Sequence, residues 1–82
     1  MYKVYILRSF LNAAYYVGSC EDIVLRVKQH NSGLVKSTKR YIPWESIYVE
    51  EYIRLSEARK REKQIKSWKK RSAIERLISS KI

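Results

Sequence analysis

Cysteine, proline, glycine and acid are what this chain has least of. Its single cysteine, Cys20, excludes an internal disulfide and cannot by itself hold a metal. One proline and two glycines leave no Pro/Gly-rich linker, and neither an internal repeat nor a low-complexity tract is present. No apolar run approaches the ~20 residues of a membrane-spanning helix, so no membrane partner is expected. Met1 leads directly into strand-like sequence without an apolar leader, so a cytoplasmic location is expected. The 82 residues are expected to form one domain, 1–82, near the lower limit for a self-sufficient core. Eight Asp and Glu stand against eighteen Lys and Arg, a net charge of +10. That field favours polyanions, nucleic acid ahead of anionic membrane. The basic helices carry few large apolar residues, which disfavours an amphipathic membrane anchor.

What is present organises around Lys3–Gly18, which reads as two strands folded back on each other. Val4 and Ile6 fall on one face, and Lys3, Tyr5 and Leu7 on the other. In the second strand Tyr16 and Gly18 share one face, Tyr15 and Val17 the opposite one. Asn12-Ala13-Ala14 supplies the turn. Pairing of these strands brings Tyr5 near Tyr16, and a glycine beside two phenols suggests close approach of a ligand backbone.

Asp22 is a suitable N-cap and Gly33 a suitable C′ residue for a first helix. On it Ile23, Val27 and His30 form a stripe, with Arg26 at the edge and Lys28 and Gln29 facing away. Val24 and Leu25 either meet a neighbouring element or stay exposed. Gly33–Pro43 reads as a loop. Its Lys36, Ser37, Thr38, Lys39 and Arg40 suit contacts to phosphate and sugar, or form a solvated surface. Trp44–Ile53 reads as a third strand in which Ile47 and Val49 alternate with Tyr48. A second helix runs from Leu55 through Lys69 with Ser56 as cap, and a third starts near Ser72 with the capping box Ser72–Glu75. Ile74, Leu77 and Ile78 form its buried side. The expected fold is α+β: a three-stranded antiparallel sheet flanked by helices, in the order β-β-α-β-α-α.

Leu55, Ala58, Glu62, Ile65 and Lys69 share one stripe of the second helix, so Glu62 stands where a core-facing helix wants a hydrophobe. An inward carboxylate needs a partner, a metal or a proton. Pairing with Arg26 or a lysine is one outcome, and a functional carboxylate is the other. Arg26 and His30 project together at i, i+4. Tyr5, Tyr16, Arg26, His30 and Glu62 are a set suited to phosphodiester hydrolysis. That reaction needs a base, a polarised water, a cation for developing charge and usually a divalent metal on a carboxylate.

Val4-Tyr5-Ile6 followed by Tyr16-Val17-Gly18 resembles the paired motif of the GIY-YIG nucleases. The resemblance continues through Arg26, His30-Asn31, Gly33, Ser37-Thr38-Lys39, Pro43-Trp44 and Glu62. It is nearest to the small stand-alone bacterial members. It implies metal-dependent cleavage of DNA, branched or damaged forms included, with no obligate protein partner. It further implies that Glu62 holds Mg²⁺ or Mn²⁺, Tyr5 acts as general base or orients water, and Tyr16 binds nucleophile or phosphate. Arg26 would stabilise the pentacovalent phosphate, and His30 would hydrogen-bond Tyr5 and steer its proton. A free phenol titrates near ~10, so Tyr5 serves as a base only if Arg26, the metal or His30 intervenes. Val4 replaces the motif's first glycine, Val17 its second isoleucine, and Cys20 follows where a small polar residue is usual.

Two other functions fit parts of the sequence. One is a nucleic-acid-binding module that keeps the fold without turnover. The other is an interaction protein using Val24, Leu25 and the last helix, which leaves the charge unexplained.

Overall fold

A computed structural model describes residues 1–80, so the last two residues of the expected domain lie outside it. Strands β1 (Tyr2–Ser9) and β2 (Tyr15–Cys20) form the hairpin, followed by α1 (Ile23–Asn31), a 3₁₀ turn (Lys39–Tyr41), β3 (Trp44–Tyr52), α2 (Leu55–Ser67) and α3 (Arg71–Ser79). The sheet is antiparallel in the order β2-β1-β3, which makes β1 its centre. Fold class and element order are as the sequence implies.

The period-two alternation of β1 divides the molecule into two cores. Val4, Ile6 and Val17 pack with Tyr48, Ala58 and Ile65 beneath α2 and α3. Tyr5, Leu7 and Trp44 pack with Tyr16, Ile23, Val27 and Val49 beneath α1. One expectation fails within β3. The register against β1 slips between Ile6 and Leu7, so Ile47 is an extra residue in the ladder. Ile47 therefore packs on the same side as Tyr48, and of Ile47 and Val49 just Val49 reaches the α1 side.

The helix ends show which sequence signals were sufficient. Asp22 Oδ1 accepts the Leu25 N–H at 3.1 Å, capping α1. At its other end Gly33 takes φ 79°, Leu34 N–H donates to Gln29 O at 3.1 Å and Gly33 N–H to His30 O at 3.2 Å. That pair of bonds is the Schellman stop. Neither Ser56 nor Ser72 caps a helix. α2 begins one residue before Ser56, with Glu57 accepting the Arg54 N–H at 3.2 Å. α3 begins at Arg71, which puts Ser72 inside its first turn. α2 also stops at Ser67, because Lys69 turns left-handed at φ 55°.

A polar network ties β3 to α2. Arg61 grips Glu50 through Nε at 2.9 Å and Nη2 at 3.1 Å, and the hydroxyls of Tyr48 and Tyr52 also donate to Glu50. Burial alone would raise the Glu50 carboxyl; these donors outweigh it and hold it below its ordinary range. Ile74, Leu77 and Ile78 cover the outside of this core as expected, while Val24 and Leu25 stay exposed. No helix among the described residues is long and apolar enough to cross a membrane.

Ala13 (φ 59°) and Lys69 (φ 55°) occupy the left-handed region where a side chain costs about 1 kcal/mol. Glycine at either position is expected to raise Tm by a few degrees. Thermal unfolding of Ala13→Gly and Lys69→Gly checks this, and an unchanged Tm in both contradicts it.

Candidate active site

Tyr5 is the fixed point of the site. It lies in the central strand on the α1 side and has no accessible surface. Its cross-strand partner is Gly18. A Cβ at Gly18 would fall 2.5 Å from Tyr5 Oη and 2.7 Å from its Cζ. The glycine thus makes room for the phenol itself, and the space expected for a ligand backbone is already filled by that ring.

α1 lays Arg26 and His30 over Tyr5. His30 Nε2 is 2.9 Å from Tyr5 Oη, and His30 Nδ1 is 2.7 Å from Thr38 Oγ1. Arg26 Nε donates to Tyr5 Oη at 3.3 Å and Nη1 to Gln29 Oε1 at 3.1 Å. Thr38 Oγ1 donates to the Val35 carbonyl at 3.3 Å. One assignment of protons satisfies the whole chain: Arg26 to phenol oxygen, phenol to Nε2, Nδ1–H to Thr38, Thr38 to Val35. His30 is then the neutral Nδ1–H tautomer. Among the described residues no buried side-chain nitrogen or oxygen lacks a partner.

The charges agree with that assignment. Burial, then the Arg26 guanidinium, pushes His30 down to about 4. Burial pushes Tyr5 up to about 12, against the hydrogen bond and charge of Arg26. At neutral pH the proton therefore rests on Tyr5 and His30 is uncharged. Arg26 pulls in the direction that base catalysis by Tyr5 requires, and burial wins.

Arg26 and Tyr16 are half-buried and form the accessible rim. The Tyr16 ring centroid lies 5.0 Å from His30, 6.3 Å from Tyr5 and 6.4 Å from Trp44. Trp44 closes the far side. Its Nε1 donates to Thr38 O at 2.9 Å, its N–H donates to Asn31 Oδ1 at 2.7 Å, and Asn31 Nδ2 donates back to Trp44 O at 3.0 Å. These bonds pin α1 and the following loop to β3. Cys20 is half-buried in the same core, and burial pushes its thiol up.

Glu62 arrives from the opposite layer. α2 packs on the other face of the sheet, and Glu62 sits at its edge with its side chain 20% exposed. Ser19 of edge strand β2 donates to Oε1 at 2.6 Å, and Lys66 Nζ to Oε2 at 2.5 Å. Lys66 Nζ also stands 5.9 Å from the Tyr16 ring centroid. Tyr5, Tyr16, Arg26 and His30 are thus in direct contact range, and Glu62 joins them around the β2 edge across one ammonium. Of its two expected partners, a lysine is the one found; Arg26 is held by Tyr5 and Gln29.

Lys36, Ser37, Lys39 and Arg40 are exposed, and Lys36, Ser37, Arg40 and Tyr41 line an open groove of about 460 Å³. Thr38 departs from the expected surface role. It has no accessible surface and holds His30 from behind. Ser19 and Lys66 also position a site residue and went unrecognised in the sequence, and Gln29, expected to face away, accepts from Arg26 instead. Only Thr38 had a readable signal: a buried imidazole needs a partner for its second nitrogen, and a hydroxyl on the next turn can supply it.

The model of the GIY-YIG catalytic domain matches residues 1–76. Two proteins of Staphylococcus epidermidis strains, both named UPF0213 protein, are each 38% identical over 72 residues, covering 87% of this chain and 87% of the relative. No solved structure matches.

Two outcomes follow from the buried chain. Gly18→Ala is expected to destabilise the fold by about 1–3 kcal/mol through overpacking. Tyr5→Phe should fail to rescue it, since Cζ alone lies within 2.7 Å of the new methyl; rescue seen in chemical denaturation would contradict the packing account. His30 is the sole histidine, so its NMR titration needs no assignment by mutation. Its folded pKa lies below the unfolded ~6.5, so its contribution to stability is complete above pH ~6.5 and fades as pH falls towards about 4. The loss is on the order of 3 kcal/mol. An imidazole titrating at or above ~6.5 would contradict this.

Proposed function

The chain belongs to the GIY-YIG catalytic domain family, and on that premise we propose that it is a DNA endonuclease that depends on a divalent metal, Mg²⁺ or Mn²⁺. The observation that carries this reading is the hydrogen-bonded line from Thr38 through His30 and Tyr5 to Arg26, which ends at a half-buried guanidinium within electrostatic reach of Tyr16. A phosphodiester is cut when charge developing on the phosphate oxygens is met by fixed donors. Arg26 has five N–H groups and commits two of them to Tyr5 and Gln29. Its remaining donors serve the phosphate. Tyr5 fixes the guanidinium by accepting from Nε, and the neutral His30 fixes Tyr5.

Roles divide between the two phenols accordingly. Tyr5 keeps its proton and has no accessible surface, so it positions Arg26. Its hydroxyl donates to His30 Nε2 while it accepts from Arg26, which fixes the direction of the guanidinium. Tyr16, at the rim, is the phenol placed to orient a water or a phosphate oxygen.

Glu62 is the carboxylate for the ion. No group of three or more His, Cys, Asp and Glu side chains suited to a metal occurs among the described residues. A lone carboxylate fits Mg²⁺, which retains several waters and adds substrate phosphate oxygens. Ser19 fixes one oxygen of Glu62, and the Lys66 ammonium on the other marks a position that accepts positive charge. Held by Glu62, the ion supplies Lewis acidity and a more acidic water.

The contact between Lys66 and Glu62 also favours a second reading, a nucleic-acid-binding module in which that lysine permanently closes the carboxylate. Incubation with branched, nicked and duplex DNA plus Mg²⁺ or Mn²⁺ separates the two. The endonuclease cuts, and Glu62→Gln and Arg26→Ala each lose at least ~100-fold in rate. Salt-sensitive binding without cleavage in either metal supports the module instead. Equal cleavage by all three proteins removes both residues from the mechanism.

A further inference from the structure

Phe10 and Leu11 take no part in the site or in either core. They stand side by side at the tip of the β1–β2 hairpin, 67% and 65% exposed. The tip is stiff. Ser9, 2% exposed, donates through Oγ to Tyr41 O at 2.6 Å and accepts the N–H groups of Leu11 at 3.0 Å and Asn12 at 3.4 Å. Ser9 N–H bonds Ala14 O, Ala13 N–H bonds Ser9 O, and Phe10 N–H bonds Pro43 O at 2.8 Å. Two bulky apolar side chains are therefore held out in water on a platform that has little entropy left to lose on binding.

The same bonds fasten the tip to the segment that bears the cationic groove. Ser9 is tied to Tyr41, and Tyr41 lines that groove with Lys36, Ser37 and Arg40. Cations next to exposed apolar side chains match the two surfaces of an opened nucleic acid, phosphate and base face. An intact duplex covers its base faces; a branch, flap or nick uncovers one.

We propose that Phe10 and Leu11 form a wedge that stacks on the base pair exposed at a branch, flap or nick, while Lys36 and Arg40 hold the adjoining phosphates. The proposal rests on the endonuclease reading and names the surface that would recognise an opened branch.

The test is fluorescence anisotropy without divalent metal, using flap and fully paired DNA of equal length, with 2-aminopurine placed at the branch. Wild type is expected to prefer the flap by about tenfold or more, and its binding changes the 2-aminopurine signal. In Phe10→Ser/Leu11→Ser the flap-to-duplex ratio falls towards one and the signal change disappears. In Lys36→Ala/Arg40→Ala both affinities drop and the ratio stays. An unchanged ratio in the hairpin variant overturns the wedge. So does a wild type without preference, or a hairpin variant that loses only its binding to phosphatidylserine vesicles. If wild type binds no DNA of either form, the endonuclease reading falls with the wedge; if it cuts DNA and the hairpin variant keeps its preference, the wedge alone falls.

Discussion

A hydrogen bond between two side chains without accessible surface, Tyr5 and His30, sets the terms for most of this molecule. Neither group can be left there unpaired without a cost of about 1–3 kcal/mol. Tyr5 fits only because its cross-strand partner is a glycine. His30 is satisfied only because the chain turns back at Gly33 and returns a threonine hydroxyl to its second nitrogen. Asn31 and Trp44 then hold that return path against β3. The local choices at Gly18, Gly33, Asn31, Thr38 and Trp44 serve one buried line of donors and acceptors.

That line has one open end, where the proposed chemistry would take place. Arg26 is charged, half-buried and oriented by the neutral pair behind it. A neutral His30 suits this purpose, because a second cation beside Arg26 would repel it; the depressed imidazole pKa reflects burial first and that repulsion second. On the other side of the sheet the same preference for satisfied charge appears at Glu50, gripped by Arg61 and two phenols. Glu50 locks α2 onto β3, and α2 in turn carries Glu62 to the edge of β2. The sheet thus separates the core that holds Tyr5 from the one beneath α2 and α3, and Glu62 and Lys66 reach round its β2 edge.

The alternation of Val4-Tyr5-Ile6-Leu7 was enough to assign both sheet faces, and Asp22 and Gly33 marked the ends of α1 correctly. These are local signals, decided by one residue's backbone or by period two. Ser56 and Ser72 looked like caps by the same logic and are not. The helices start earlier, where Arg54 and Lys70 take extended backbone conformations. Ile47 was misassigned because a bulge breaks period two, and no residue type announces it. Of the five residues named in the sequence, Tyr5, Tyr16, Arg26 and His30 lie together, whereas Glu62 stands in the opposite layer against Ser19 and Lys66; its position and that of Thr38 were not legible. Glu62 depends on how α2 crosses the sheet, and Thr38 on how a loop closes; both are set by long-range packing.

In the proposed mechanism Arg26, Tyr16 and Glu62 surround one phosphate at the β2 edge while Tyr5 and His30 stay behind it. A crystal structure of the Glu62→Gln protein with a flap oligonucleotide measures this directly. The expected result is a phosphate oxygen within hydrogen-bonding distance of Arg26, beside Tyr16, with the bond between Tyr5 and His30 intact. A DNA backbone that passes only over Lys36 and Arg40 and leaves Arg26 untouched would contradict it.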